Sequence, residues 1–353
     1  MHEQNLAFLK QLLSTPGPSG DEMAAAQVWR EEARTFADTV SADVRGNSYA
    51  RLEGTGPRVL LAGHIDEIGL MISYIDEQGY LFFAPIGGWD AQVLVGQRVR
   101  LLGQQGPVIG VIGKKPIHLI EADERSRVSK IEQMWIDIGV KNRDEVLAQG
   151  LQVGCTGVID VPLCEFPHGR IVSRSLDNRI GAFTVLEALR LLSQHRPSAA
   201  VVAVATTQEE TSLTGATTAA FAFDPHIAIV VDVTFATDHP ESDLRQYGNV
   251  KLGGGPVLSR GAANSPLVYE RLLAIATQEQ IPYSLQISPR HTGTDADAIH
   301  KVRSGVATGV IAIPNRYMHS PNEMVDLADV GHAARLIAAF VRSIHSEKEF
   351  VPA

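Results

Sequence analysis

Six residues with the means to do chemistry fall at or just beyond the ends of apolar runs, and a seventh stands at the head of a helix. "RVLLAGHID" ends in His64 and Asp66, "VVAVATTQEE" in Glu209 and Glu210, "IAIVVD" in Asp232 and "GVIAIPNRYMH" in His319. "SRSLDN" sets Asp177 just ahead of a helical segment. Taken singly, each has an ordinary explanation: a hydrogen-bonded surface histidine, a helix cap at Asp177, a strand-end turn at Asp232, a solvated glutamate pair. Their repeated coincidence with strand ends points instead to one site, because ligands of open α/β sheets gather at the carboxyl ends of the strands. Five of them, His64, Asp177, Glu210, Asp232 and His319, make a set of two imidazoles and three carboxylates with no thiolate. Such donors suit zinc, cobalt or manganese. One open catalytic zinc usually takes three protein ligands. Five can serve two ions about 3.5–4 Å apart if one carboxylate bridges.

The two remaining acids fit around that set. Asp66 lies two residues beyond His64, on the same side of an extended strand, where it could hold the second ring nitrogen. Glu209 is left without a ligand role, and a free carboxylate beside an activated water can act as general base and then general acid. Neighbours on a strand face opposite ways, so Glu209 and Glu210 can share a site only if the strand ends first and the backbone turns. His118, His168 and His291 lack partners of comparable quality and are read as ordinary histidines.

The elements that must position these residues alternate. Leu6, Leu9, Leu12 and Leu13 have helical spacing, and Ser19 or Asp21 could cap a second helix through "EMAAAQVWREEARTFA". From about residue 68, short alternating runs separated by glycines predict a small antiparallel barrel or sandwich. The stretch 121–132 carries too many charges for a core element. After Arg170, helices alternate with near-continuous apolar strands, the pattern of a largely parallel sheet covered on both faces. The expectation is an α/β domain from residues 1–67 and 163–353, with a mixed, mostly parallel sheet between helices, and an inserted β-rich domain at 68–162.

The 353 residues, 44% hydrophobic and 20% charged, suffice for a large core. A formal net charge of −9 argues against a nucleic-acid partner. No uncharged apolar stretch approaches the roughly 18 residues needed to span a bilayer. The start of the chain lacks a signal-peptide pattern. Two cysteines, Cys155 and Cys164, make no disulfide framework, so the expected compartment is the cytoplasm.

Six segments, "GHIDEIGLMI", "SRSLDNRIGAF", "QEETSLTGA", "VDVTFATDHP", "GTDADAI" and "IPNRYMHSPNEM", together resemble the tetrahedral aminopeptidases, dinuclear metallopeptidases that include glutamyl and deblocking aminopeptidases. The resemblance runs in order from about residue 5 to residue 345. It implies a zinc-peptidase-like fold, with His64 and Asp232 on one metal, Glu210 and His319 on the second, and Asp177 bridging. It also implies Glu209 as general base and Asp66 as the orienting acid. The inserted domain would correspond to the family's dimerisation domain, whose dimers build a dodecamer, and segment 121–132 to a loop near its active-site chamber. Ser212 and Thr214 depart from the family's usual "GLRGA"-like continuation, and Phe235 stands where a histidine is common. The expected activity is removal of N-terminal residues from short peptides. Two alternatives stand beside it: a metal-free glycoside hydrolase using the paired acids, and a cage assembly with an idle site.

Overall fold

The computed structural model describes residues 3–122 and 125–352, so part of the charged stretch, residues 123 and 124, lies outside the described residues. The chain opens with helices Glu3–Ser14 and Met23–Ala33 and strands β1 (Thr39–Ala42), β2 (Ser48–Leu52) and β3 (Arg58–His64). Next come β4 (Gly69–Ile75), β5 (Leu81–Ile86), β6 (Arg98–Gly103), β7 (Gly106–Lys114), β8 (Met134–Asp137) and β9 (Thr156–Ile159). These close into a barrel in the order β4-β5-β8-β7-β6-β9, every pairing antiparallel. The remaining strands are β10 (Cys164–Phe166), β11 (Arg170–Ser173), β12 (Ala200–Thr206), β13 (Ile227–Phe235), β14 (Val257–Gly261), β15 (Ser284–Ser288), β16 (Ala307–Asn315) and β17 (Glu323–Asp326).

The main sheet has the order β1-β2-β12-β3-β13-β16-β14-β15, and β10-β11-β17 form a small antiparallel sheet beside it. Its centre, β12-β3-β13-β16, is parallel, while β1, β2 and the β14–β16 pairing are antiparallel. The fold is therefore mixed α/β with a mostly parallel sheet. The period of two along each strand sorts the core into two layers. Val59, Leu61, Val201, Ala203, Ile229 and Val231 join one cluster, packed with Trp29, Phe183, Leu189 and Phe340 from the helices on that face. Leu60, Ala62, Val202, Val204 and Val230 join the other, under Ala216, Ala219 and Ala220. Each buried Leu, Ile or Val contributes about 1.5–3 kcal/mol, which is why these near-continuous apolar runs become central strands. The barrel has its own core of Leu70, Leu81, Val99, Leu101, Ile112 and Ile136.

Helix Leu176–Gln194 crosses behind β3 at very short range. A Cβ on Gly63 would lie 2.6 Å from the Gly181 carbonyl carbon, and one on Gly181 would lie 2.2 Å from Asn178 Oδ1. Only glycine at both points lets the helix start seat against the strand end. The expected cap of the second helix is absent. The Ser19 hydroxyl pairs with that of Thr211, Asp21 accepts the Thr156 hydroxyl, and Glu22 stands at the N-cap without a capping bond. No helix among the described residues is long and apolar enough to cross a membrane.

Candidate active site

Parallel register brings the carboxyl ends of the central strands level. Thr206 pairs with His64, and Val230 pairs with Ala62, so Asp232 two residues on comes level with His64. Asp232 is not at a strand end, since β13 continues to Phe235. His319 lies four residues past the end of β16, in a turn where Tyr317 and His319 have φ of 63° and 58°. Asp177 is not a cap: it and Asn178 have non-helical dihedrals at the head of the long helix, and the peptide between them is cis. Asn178 locks this segment, donating to Val231 O and accepting from Gly181 N.

The adjacent glutamates share the site because β12 stops at Thr206 and Gln208 turns the chain with φ 58°. Glu209 and Glu210 then begin the short helix Glu209–Ser212. Asp66 fixes that turn, its Oδ1 accepting from Glu209 N and its Oδ2 from Glu210 N, both at 3.1 Å. The same Oδ1 stands 3.3 Å from His64 Nδ1.

The structure thus brings all seven residues together. His64 Nε2 faces Asp177 Oδ1 at 3.3 Å, Glu209 Oε2 at 3.7 Å and Asp232 Oδ1 at 3.9 Å. His319 Nε2 faces Asp177 Oδ2 at 3.3 Å and Glu210 Oε1 at 3.5 Å. Donor atoms converge in two triads, His64–Asp177–Asp232 and Asp177–Glu210–His319, with all atoms of each within 4.8 Å of one another. A third grouping, His64–Glu209–Glu210, meets the same limit. Asp177 is common to the first two.

Burial in this crowded acidic space pushes Glu209 up to about 10, helped by Asp232, Asp295 and Glu210. Burial likewise raises Asp232 and Glu210. Burial would push Asp177 up too, but the His319 and His64 rings outweigh it and hold it below the usual carboxylate range. Hydrogen bonding to Asp177 and Glu210 lifts His319 to about 11. Such mutual shifts mark a cluster whose carboxylates need positive charge beside them.

Several functional neighbours were not legible beforehand. Glu323, 2% exposed, accepts from the backbone N–H of Asp177 and of His319. Asp295 accepts the Thr206 hydroxyl behind the cluster, and its other oxygen is buried without a hydrogen-bond partner. Glu67 pairs with both Arg174 and Arg179 beneath the site, and Arg179 also binds the carbonyls of Leu12 and Ile65. The available signal was position: Glu323 and Asp295 lie inside "IPNRYMHSPNEM" and "GTDADAI", but no spacing rule gives them work. His118, His168 and His291 are exposed and outside the cluster, Ser212 and Thr214 share a hydroxyl contact of 2.6 Å, and Phe235 is exposed. Cys155 and Cys164 are free thiols.

Comparison with known proteins sets this geometry in the class of peptide-cleaving hydrolases that act from the amino terminus. Residues 46–336 match the family described as M42 glutamyl aminopeptidase. The lysyl aminopeptidase of Pyrococcus furiosus is 35% identical over 349 residues, 98% of this chain and 99% of the relative. The solved TET aminopeptidase of a marine-sediment Thaumarchaeota archaeon is 35% identical with a TM-score of 0.94, covering 98% of each chain. The Pyrococcus horikoshii TET1 peptidase, which can assemble into a tetrahedron or a large octahedral shell, is 29% identical with a TM-score of 0.86 over 96% of this chain and 100% of its own. The chain belongs to the M42 glutamyl aminopeptidase family.

Proposed function

We propose that this aminopeptidase works through two divalent cations and removes N-terminal residues from short peptides. His64, Asp177 and Asp232 would hold the first ion, and Asp177, Glu210 and His319 the second. The donors fit such ions: two imidazole nitrogens and converging carboxylates match borderline to moderately hard cations. In addition, Glu210 Oε1 is buried and faces only the His319 ring, at the long distance of 3.5 Å, which leaves it room for a cation. When bound, two ions, zinc or cobalt foremost and manganese as a further option, supply Lewis acidity to a substrate carbonyl and lower the pKa of a shared water.

The chain's own residues do the rest. Asp66 orients the His64 ring and fixes the turn that presents Glu209 and Glu210. Glu209 belongs to neither proposed triad, and its Oε2 reaches to 3.7 Å from His64 Nε2. From there, once the charge of the bound cations offsets the burial that raises it, it would take the proton of the attacking water and return it to the departing amine. The observation that carries this reading is the pair of triads joined at Asp177, with Glu209 beside them and outside both.

Chelation should abolish release of residues from aminoacyl anilides and short peptides, and zinc or cobalt should restore it. Glu209→Gln should keep its metal content and lose about 10²–10⁴-fold in kcat. Full activity in that variant would discard the base assignment. Glycan hydrolysis that survives chelation would favour the glycoside hydrolase alternative, and protein that takes up no zinc or cobalt and stays inactive when they are supplied the idle cage. The same reading assigns residues 1–67 and 163–353 to the catalytic domain and the inserted 68–162 to dimerisation. It further takes the assembly as a cytoplasmic dodecamer built from dimers.

A further inference from the structure

Two buried carboxylates touch the cluster without entering either triad, and they serve different halves of it. Asp66 holds Glu209, Glu210 and His64, as described. Glu323 is its counterpart across the site. Its Oε2 accepts from Asp177 N at 2.9 Å and its Oε1 from His319 N at 2.9 Å. Both recipients lie in backbone with no regular hydrogen-bond ladder of its own: Asp177 in the non-helical head of its helix, His319 in a left-handed turn. Non-glycine residues adopt that turn only where the surroundings impose it. Glu323 is itself well anchored. It opens β17 in register with Ser173 of β11, the strand that leads four residues later to Asp177.

We propose that Glu323 is a positioning residue that fixes the Asp177–Glu210–His319 triad, clamping the backbones of two of its three members at a set separation and thereby setting how tightly that half of the site holds a cation. The proposal rests on the two-cation reading above. Chemistry explains why the clamp is a glutamate. Two N–H donors point at one side chain, and a carboxylate offers each an oxygen. Glutamine offers one oxygen and one NH₂, so one N–H would face another donor. Alanine leaves both buried N–H groups unpaired. The other half is less dependent on Glu323. Of its members only Asp177 touches that carboxylate, while His64 sits beside Asp66 and Asp232 is held within β13.

The test is titration of metal-stripped protein with cobalt, followed by calorimetry and visible absorption, on the wild type, Glu323→Gln and Glu323→Ala. The wild type should take up two equivalents. Each variant should keep one equivalent near wild-type affinity and bind the second about 10- to 100-fold more weakly. A purely structural role would lower thermal stability or weaken both equivalents alike, without splitting them. Two equivalents bound with wild-type affinities in the folded Gln variant overturn the proposal, and equal weakening of both does the same. If circular dichroism shows the alanine variant unfolded, Glu323→Gln, nearly isosteric, decides the matter. A wild type that binds no cobalt overturns the two-cation reading and this proposal together, whereas an unsplit variant beside a two-equivalent wild type overturns this proposal alone.

Discussion

Asp66 is where most of the site's geometry converges. Burial alone would raise its pKa, but the neighbouring His64 ring and the two backbone N–H groups of Glu209 and Glu210 outweigh it and keep the carboxyl ionised. An ionised, fully buried acceptor with three donors is a strong positional constraint. Asp66→Ala would leave the backbone N–H groups of Glu209 and Glu210 without their acceptor, at about 1–3 kcal/mol for each group that stays buried, and would leave the His64 ring only the backbone carbonyl of residue 66. The expected result is a clear loss of thermal stability with a larger loss of turnover, because the glutamate turn and the His64 ring both come loose. Calorimetric melting and steady-state kinetics check it, and wild-type turnover in the variant would show that the turn holds itself. The strand-end rule was able to pick out His64, Asp66, Asp177, Glu209, Glu210, Asp232 and His319 because each follows an apolar run or opens a helix. It could not find Glu323, which acts on backbone N–H groups rather than through its own spacing. Asp295 escaped for a like reason, since its partner is the hydroxyl of Thr206.

At the scale of elements, legibility followed apolar density. Strands β3, β12, β13 and β16 and helices Leu176–Gln194, Thr214–Phe223 and Pro266–Gln278 have strong periodic patterns and could be read from them. The β1–β2 hairpin and the β14–β15 pair could not. β1 is almost wholly exposed and β15 alternates between half-buried and exposed, so tertiary pairing rather than local pattern makes them strands. The hairpin is tied down electrostatically instead. Asp38, just before β1, accepts from Glu53 N just after β2 and receives both terminal nitrogens of Arg196 at 2.7 Å. The Arg196 hydrogen bonds, seconded by that of Glu53, lower Asp38 from 3.8 to about 2. A depressed acid stabilises the fold above its unfolded pKa and loses that contribution as pH falls through the folded one. Asp38→Asn should therefore melt lower than the wild type at neutral pH, with the gap closing between pH about 4 and 2. Melting curves across that range test this, and because the pair is solvent-facing the gap should also shrink in high salt. A gap that is constant with pH would mean the hairpin owes nothing to this charge.

For the whole molecule, the question is what the barrel does for a site built on another sheet. Its entry and exit strands are neighbours, with Leu70 opposite Gly157 and Met71 opposite Thr156 on β4 and β9. The chain thus leaves the main domain and returns at one place, so the barrel can be removed and the ends joined by a short glycine linker. The barrel also reaches back. A Cβ on Gly88 would stand 3.3 Å from His319 Nδ1, one on Gly87 3.3 Å from Glu210 Oε2, and the Trp89 indole donates to Gly69 O. The β5–β6 connection therefore walls the Asp177–Glu210–His319 side. If the barrel is the dimerisation element, its outward face must be the sticky one, and Met71, Tyr74, Ile109 and Val111 are exposed there. The excised chain should then run as a single copy by native mass spectrometry. It should keep a cation at the His64 half and bind peptide more weakly, with KM raised because the Gly87–Trp89 wall is gone. An excised chain that still assembles to full size would move the dimer contact to the main domain. Unchanged KM would mean that the wall never touches substrate.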